Sequence, residues 1–394
     1  MSVDTPADEG GRPSNGSLEG LRVVEVATML AAPFSGMLLA DHGADVVKVE
    51  MPEVGDGIRQ WGHRKDDIAL YWKVLARNKR TVTLDLHEEA GRDRLRRLLA
   101  DADVLIENFR PGTLERWGLS PDGLRAANER LVVLRVSGWG QEGPYAERPG
   151  FGTLVEAFSG FAHINGWPDR PPTLPPFGLA DSMAGMIGAF GILCALRERD
   201  RSGRGQVIDL ALYEPMLAAL GSLVIDYDQQ GIVQDRMGNR TPFSAPRNAY
   251  QGKDGGWFAI SASNQNTATR LLTTIGRPEL LDDPRFATNT VRTAHQDELD
   301  EVISAWAALR TRDEAIEELN AGGVPVAPVN SVADIVGNEH VVARGSLIRV
   351  PDDELGEVLV QAPVPRLCDT PGRVRFLGRP LGSDDDQWTG GLWR

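Results

Sequence analysis

Cysteine is scarce in this chain: two residues in 394, Cys194 and Cys368, are too few for a disulfide framework and lack the spacing of a metal site. Both are expected to be packing residues. Six histidines, His42, His63, His87, His163, His295 and His340, include no HxH, HExxH or Cys/His grouping, which argues against a zinc centre. Positive charge is also short. Lys and Arg number 42 against 56 Asp and Glu, for a formal net charge of -14. No general nucleic-acid or anionic-membrane surface is expected, and a phosphorylated ligand would need a local basic patch. Long hydrophobic runs are missing too: residues 29–40 and 183–196 are interrupted by Gly, Ser or Pro and fall short of a bilayer span, so no transmembrane helix is predicted. Neither a G-x-S-x-G elbow nor a G-x-x-x-x-G-K-[ST] loop occurs, which weakens serine-hydrolase and nucleotide-hydrolase readings.

What is present is ordinary globular composition, 41% hydrophobic and 25% charged, with length enough for two domains. Residues 1–17, rich in Gly, Ser, Asp and Pro, read as a loose tail without an apolar signal core. The first half then alternates β-branched runs (LRVVEVA, ADVVKVE, TVTLDLH, ADVLIENF, RLVVLRVSG) with helical segments at 33–41 and 88–100. That alternation predicts a Rossmann-like parallel sheet covered on both faces, with Pro33 in the first turn of a helix and Gly43 just past its end. The formal G-x-G-x-x-G at Gly138, Gly140 and Gly143 reads as a decoy: Pro144 and a turn-rich stretch follow, where a dinucleotide fingerprint must open a helix. Residues 18–224 are read as the large domain. From 225 to 330 the texture changes to a hairpin (YQGKDGGWFAIS) and helices near 264–275, 296–310 and 312–321, a smaller α+β domain. Residues 331–394, with a short helix and the strands SLIRV and EVLVQA, are expected to return to the large domain.

One carboxylate stands out. In LADSMAG, residues 179–185, Asp181 sits at the mouth of an apolar helix expected over 183–196, after the stiff RPPTLPPFG stretch. Gly185, Gly188 and Ala189 thin that helix so that a backbone or a ligand can approach. Asp181 could serve as a nucleophile or, more plainly, as an N-cap accepting from free helix N–H groups.

Taken in order, LEGLRVVEVATMLAAPFSGMLLADHGADVVKVE, NKRTVTLDL, ADVLIENFRPGTLERWGL, VSGWGQEGPYAERPGFG, LADSMAGMIGAFGILCAL, RSGRGQVIDLALYE and AGGVPVAPVNSVADI make the chain resemble the family III CoA-transferases of CaiB/BaiF type. The resemblance implies that Asp181 is the nucleophile, passing through aspartyl anhydride and aspartyl-CoA thioester as CoA moves from an acyl-CoA to a free carboxylic acid. Coenzyme A and acyl-CoA are then substrates, with no permanently bound cofactor. It further implies two interlocked copies of an α/β fold. The tail without a signal core predicts a cytoplasmic protein, and the net charge predicts neither nucleic acid nor membrane as partner.

The CoA phosphates need cations, for which Arg77, Lys79 and Arg80 around Asn78 are the best local source, then Arg116 and Arg110; all could equally be solvated turn charges. The resemblance places Asn108 and Phe109 in the CoA channel, although Phe109 could be core. The small Ala31 and Ala32 suit a thioester arm or close helix packing. Formyl-CoA transferase has a glutamine and an arginine where this chain has Leu30 and Met51, which argues against oxalate and formate. Its glycine lid has only Gly252–Gly256 as a weak counterpart here. The related α-methylacyl-CoA racemases place a histidine where this chain has Phe151, which cannot exchange a proton. An inactive acyl-CoA-binding paralogue is the remaining alternative.

Overall fold

The computed structural model describes residues 16–390 and Trp393, so the predicted tail lies almost wholly outside the described residues. Those residues divide into two compact units. One comprises the chain up to Ala162, Leu174–Val233 and the chain from Ala343; the other comprises His163–Thr173 and Gln234–Val342.

The first unit is built on β1 (Arg22–Glu25), β2 (Asp45–Glu50), β3 (Lys79–Thr83), β4 (Val104–Glu107), β5 (Val132–Ser137) and β6 (Val207–Ala211). These pair in parallel in the order β3-β2-β1-β4-β5-β6. Val23, Val24, Val46, Val47, Val104 and Val133 are fully buried, as central strands covered on both faces require. Strand order switches direction between β1 and β4. In an open parallel sheet, ligands are received outside the carboxyl ends of the strands at such a switch.

The helices of this unit include α1 (Ala31–Asp41), α2 (Leu70–Leu75), α3 (Glu89–Ala100), α4 (Gly152–Phe158), α5 (Leu179–Ser202) and α6 (Tyr213–Ala219). α1 and α5 pack closely because Gly185 leaves no side chain between them: a Cβ there would stand 2.8 Å from the Ala31 carbonyl oxygen. The Ser35 hydroxyl donates to the Gly185 carbonyl across that contact at 2.8 Å.

α5 is longer than the sequence reading expected, beginning four residues earlier and ending six later. It is long and apolar enough to cross a bilayer, a property that a packed helix of a globular unit shares. One face packs in the core through Ala184, Gly188, Ile192 and Ala195, while Met186, Ile187, Phe190 and Leu193 are exposed. Cys194 lies on that outer side, and Cys368 is exposed as well, so neither is the packing residue expected. No helix opens at Gly138–Gly143; the next one starts at Gly152, as the decoy reading requires.

In the second unit an antiparallel sheet joins β7 (Arg247–Gln251), β8 (Trp257–Ser261) and β9 (Val326–Pro328), the last unforeseen in the sequence. Helices Gln265–Thr274, Gln296–Ala307 and Arg312–Ala321 close over Phe258, Leu271, Ile303 and Leu319. Back in the first unit, β10 (Leu347–Asp352) pairs antiparallel with β11 (Gly356–Gln361).

Candidate active site

Asp181 is the third residue of α5, and the cap position falls on Gly178, which has no side chain to offer. The N-cap role is therefore not the one Asp181 plays. Its carboxylate instead faces a cavity of about 550 Å3 lined by Thr28, Leu30, Ala31, Asn108, Ser137 and Phe177, among others. Thr28, Leu30 and Ala31 follow β1, Asn108 follows β4 and Ser137 ends β5, so the cavity opens where the topology predicts. The rigid approach through Pro175 and Pro176 supplies part of the same wall.

Two glycines make room for the carboxylate. A Cβ on Gly152 would stand 2.5 Å from Asp181 Oδ2, and one on Gly178 3.1 Å from the same atom. Among the described residues no hydrogen bond reaches either oxygen of Asp181. Burial pushes its pKa up to about 6, and the charge of Glu156 adds to the effect. Asp181 in turn acts on α2: burial first and then this charge hold the Tyr71 phenol above its usual range. Among the described lining residues Asp181 is the one side chain with an acid–base group.

The loop after β1 is held from behind. Thr28 N–H donates to Asn108 Oδ1 at 2.9 Å, and Asn108 Nδ2 returns a bond to the Thr28 carbonyl at 2.7 Å. Met29 adopts φ +66°, unusual for a side chain of this size, and its N–H donates to Asp56 Oδ1 at 2.9 Å. Asp56 is fixed by Lys48 at 2.5 Å, and Lys48 also meets Glu25 at 3.1 Å, all with side chains at most 2% exposed. Burial pushes Lys48 down, yet Asp56, Glu25 and Glu50 together hold its pKa above the ordinary value. Sequence reasoning missed this network because its members look like ordinary alternating strand charges.

A second, smaller cavity of about 110 Å3 also uses Thr28, and lies over the ends of β2 and β3 with Met51, Leu86, His87, Phe109 and Trp117 in its wall. Phe109 stands edge-on to Trp117 with ring centroids 5.1 Å apart, and His87 meets Trp117 at 5.4 Å. His87 and Trp117 carried no signal in the sequence, since the strand and helix that bring them together are 30 residues apart.

The expected CoA contacts divide sharply. Ala31 and Asn108 line the large cavity and Phe109 the small one, while Ala32 is fully buried in the core between α1 and the sheet. Arg116 and Arg110 are exposed, with Arg116 donating to Thr113 Oγ1 at 2.8 Å. The Arg77–Arg80 run does not present free cations. Arg77 forks onto Asp41 and donates to the Gln361 carbonyl, and Asn78 donates to Asp41 and to the Arg373 carbonyl. Lys79 is held by Glu25 at 2.8 Å and the Pro33 carbonyl at 2.7 Å, and Arg80 by Asp45 at 2.7 Å. Carboxylates of the same unit take up these cations; none of the four residues lines these two cavities, while Asn78 and Arg80 stand in the wall of another, of about 480 Å3. Among the described residues no cluster of three or more His, Cys, Asp or Glu could hold a metal ion.

Known proteins resemble this chain over nearly its whole length. The chain is 46% identical to the succinyl-CoA–D-citramalate CoA-transferase of Chloroflexus aurantiacus over 93% of its own length and 91% of that protein. It is 43% identical to the beta subunit of the succinyl-CoA–L-malate CoA-transferase of the same organism, covering 94% and 92%. A solved CaiB/BaiF family protein from Brucella suis superposes with a TM-score of 0.84 at 36% identity, over 96% of this chain and all of that one. CoA-transferase family III matches residues 18–385. This protein therefore belongs to CoA-transferase family III and is an acyl-CoA:carboxylate CoA-transferase.

Proposed function

We propose that Asp181 is the covalent nucleophile of this exchange. Its carboxylate attacks the donor thioester carbonyl; the carbon–sulfur bond breaks, an acyl–oxygen bond forms, and the electron pair leaves on the CoA sulfur. The thiolate then attacks the Asp181 carbonyl of the mixed anhydride, which gives aspartyl-CoA thioester and releases the donor acid with one former Asp181 oxygen. An acceptor carboxylate reverses both steps. The exchange is split into covalent stages that keep the thioester's free energy, provided water stays out.

The observation that carries this reading is a desolvated carboxylate with no hydrogen-bond partner among the described residues, fitted between Gly152 and Gly178 on the wall of a cavity. With a pKa near 6 it is ionised at neutral pH yet more basic than an ordinary carboxylate. The racemase alternative needs two acid/base groups, and the lining residues supply one.

On the same reading the pantetheine arm passes Thr28, Ala31 and Asn108, and the adenine enters the slot between Phe109 and Met51. The exposed Arg110 and Arg116 stand nearest in the chain to meet the phosphates. Similarity to the two Chloroflexus proteins makes succinyl-CoA the first donor to try and a hydroxy-dicarboxylic acid the first acceptor. The exposed Met186, Ile187, Phe190 and Leu193 of α5, with Val224 and Ile225 beyond α6, support burial in an interlocked homodimer.

Peptide mass spectrometry after incubation with succinyl-CoA tests the assignment. A succinyl or CoA adduct on the Asp181 peptide, absent from Asp181→Ala, is expected. Turnover without any such adduct would overturn it.

A further inference from the structure

α4 meets the start of α5 with one face of its first turn. Gly152 and Glu156, four residues apart and so on the same side of the helix, are both buried and both turned to the Asp181 region. Gly152 leaves the space that Asp181 Oδ2 occupies. Glu156, 2% exposed, accepts a hydrogen bond from the Ala180 N–H at 3.1 Å and so supplies from another helix the cap that Gly178 lacks. A glutamine could make that bond without a charge. Glutamate adds a second negative charge one residue from the nucleophile, and this charge is itself buried.

Resting on the assignment of Asp181 as nucleophile, we infer that Glu156 is a positioning residue with two roles. It anchors the first turn of α5 through Ala180, and its charge makes the free Asp181 carboxylate the unfavourable state that acylation relieves. When the Asp181 oxygen bonds to the acyl carbon and the carbon–sulfur bond breaks, the negative charge passes from Asp181 to the CoA sulfur. The two carboxylates then no longer oppose one another.

Few other groups bear on Asp181. α2 contributes Tyr71, whose phenol interacts with it. α6 carries Tyr213 and Glu214, the latter accepting from the Ala211 N–H. α1 has no acid or base before Asp41 at its far end, and α5 none between Asp181 and Cys194.

The test uses the full chain and succinyl-CoA, following the rate of Asp181 adduct formation by quenched mass spectrometry from pH 4.5 to 8. Glu156→Gln keeps an acceptor for Ala180 and removes the charge; Glu156→Asp keeps the charge and shortens the reach. The wild type is expected to react with a midpoint near 6. Glu156→Gln is expected to move that midpoint about one unit lower and to slow the plateau rate roughly threefold, because a less basic nucleophile reacts more slowly. Glu156→Asp should keep the wild-type midpoint even if its melting temperature falls. The inference is overturned if Glu156→Gln keeps both midpoint and rate, or if both variants shift alike, which would leave only the anchoring role. No adduct in the wild type at any pH would instead remove the Asp181 assignment, and this inference with it.

Discussion

Around Glu25 each buried charge has an opposite one beside it, whereas Asp181 has none. Glu25 meets Lys48 and Lys79, Lys48 meets Asp56, and Arg77 meets Asp41, all within the sheet unit. Asp181, at the open end of the same sheet, has two glycines and another carboxylate for neighbours. Paired charges of the first kind hold a backbone in place, here the left-handed Met29 that lines the cavity. An unpaired one raises its own basicity and is available to a substrate. The run of cations at 77–80 is thus paired inside the fold, while the lone aspartate before a helix faces a cavity without a partner among the described residues.

This contrast can be broken from either side. The largest effect is expected from Asp181→Ala, which should lower kcat by more than about a thousandfold with the melting temperature retained, read by transfer assays with saturating succinyl-CoA. Next, Lys48→Met should cost about 3–5 kcal/mol in urea unfolding, because Asp56 and Glu25 would keep buried charges without their partner. Gly152→Ala sharpens the geometry: its backbone tolerates alanine, yet the new methyl would displace the Asp181 carboxylate. Activity should fall on the order of ten- to a hundredfold with little change in melting.

The smallest effect carries the opposite sign from Lys48→Met. Asp181 has a folded pKa raised to about 6 from the usual 3.8. Its contribution to stability is therefore fully present below pH 3.8 and lost as pH rises through about 6. Asp181→Asn should melt higher than the wild type by a few degrees at pH 7.5 and lose that advantage near pH 4 in paired calorimetric scans.

Much of the sheet unit was legible. β-Branched apolar runs announced β1 to β5, and the glycines of α5 announced a close helix contact, because burial on both faces and the absence of a Cβ write directly into residue type. The extent of α5 was not legible, since its first turn is anchored by Glu156 from another helix. Nor were the partners of Arg77, Lys79 and Arg80: Asp41, Glu25 and Asp45 lie more than thirty residues away in sequence, a pairing that no local pattern encodes. Leu30 and Asn108 did reach the cavity wall, whereas Met51 belongs to the smaller slot beside Phe109.

The most direct test of the account follows an oxygen atom. When an acceptor acid labelled with oxygen-18 in its carboxylate attacks aspartyl-CoA, the bridging oxygen of the anhydride is the labelled one and remains on Asp181 after CoA takes the acyl group. After turnover with succinyl-CoA and the labelled acceptor, the Asp181 peptide should gain the mass of an oxygen-18 substitution while every other acidic peptide stays unlabelled. Efficient transfer with no label in that peptide would contradict the role assigned to Asp181.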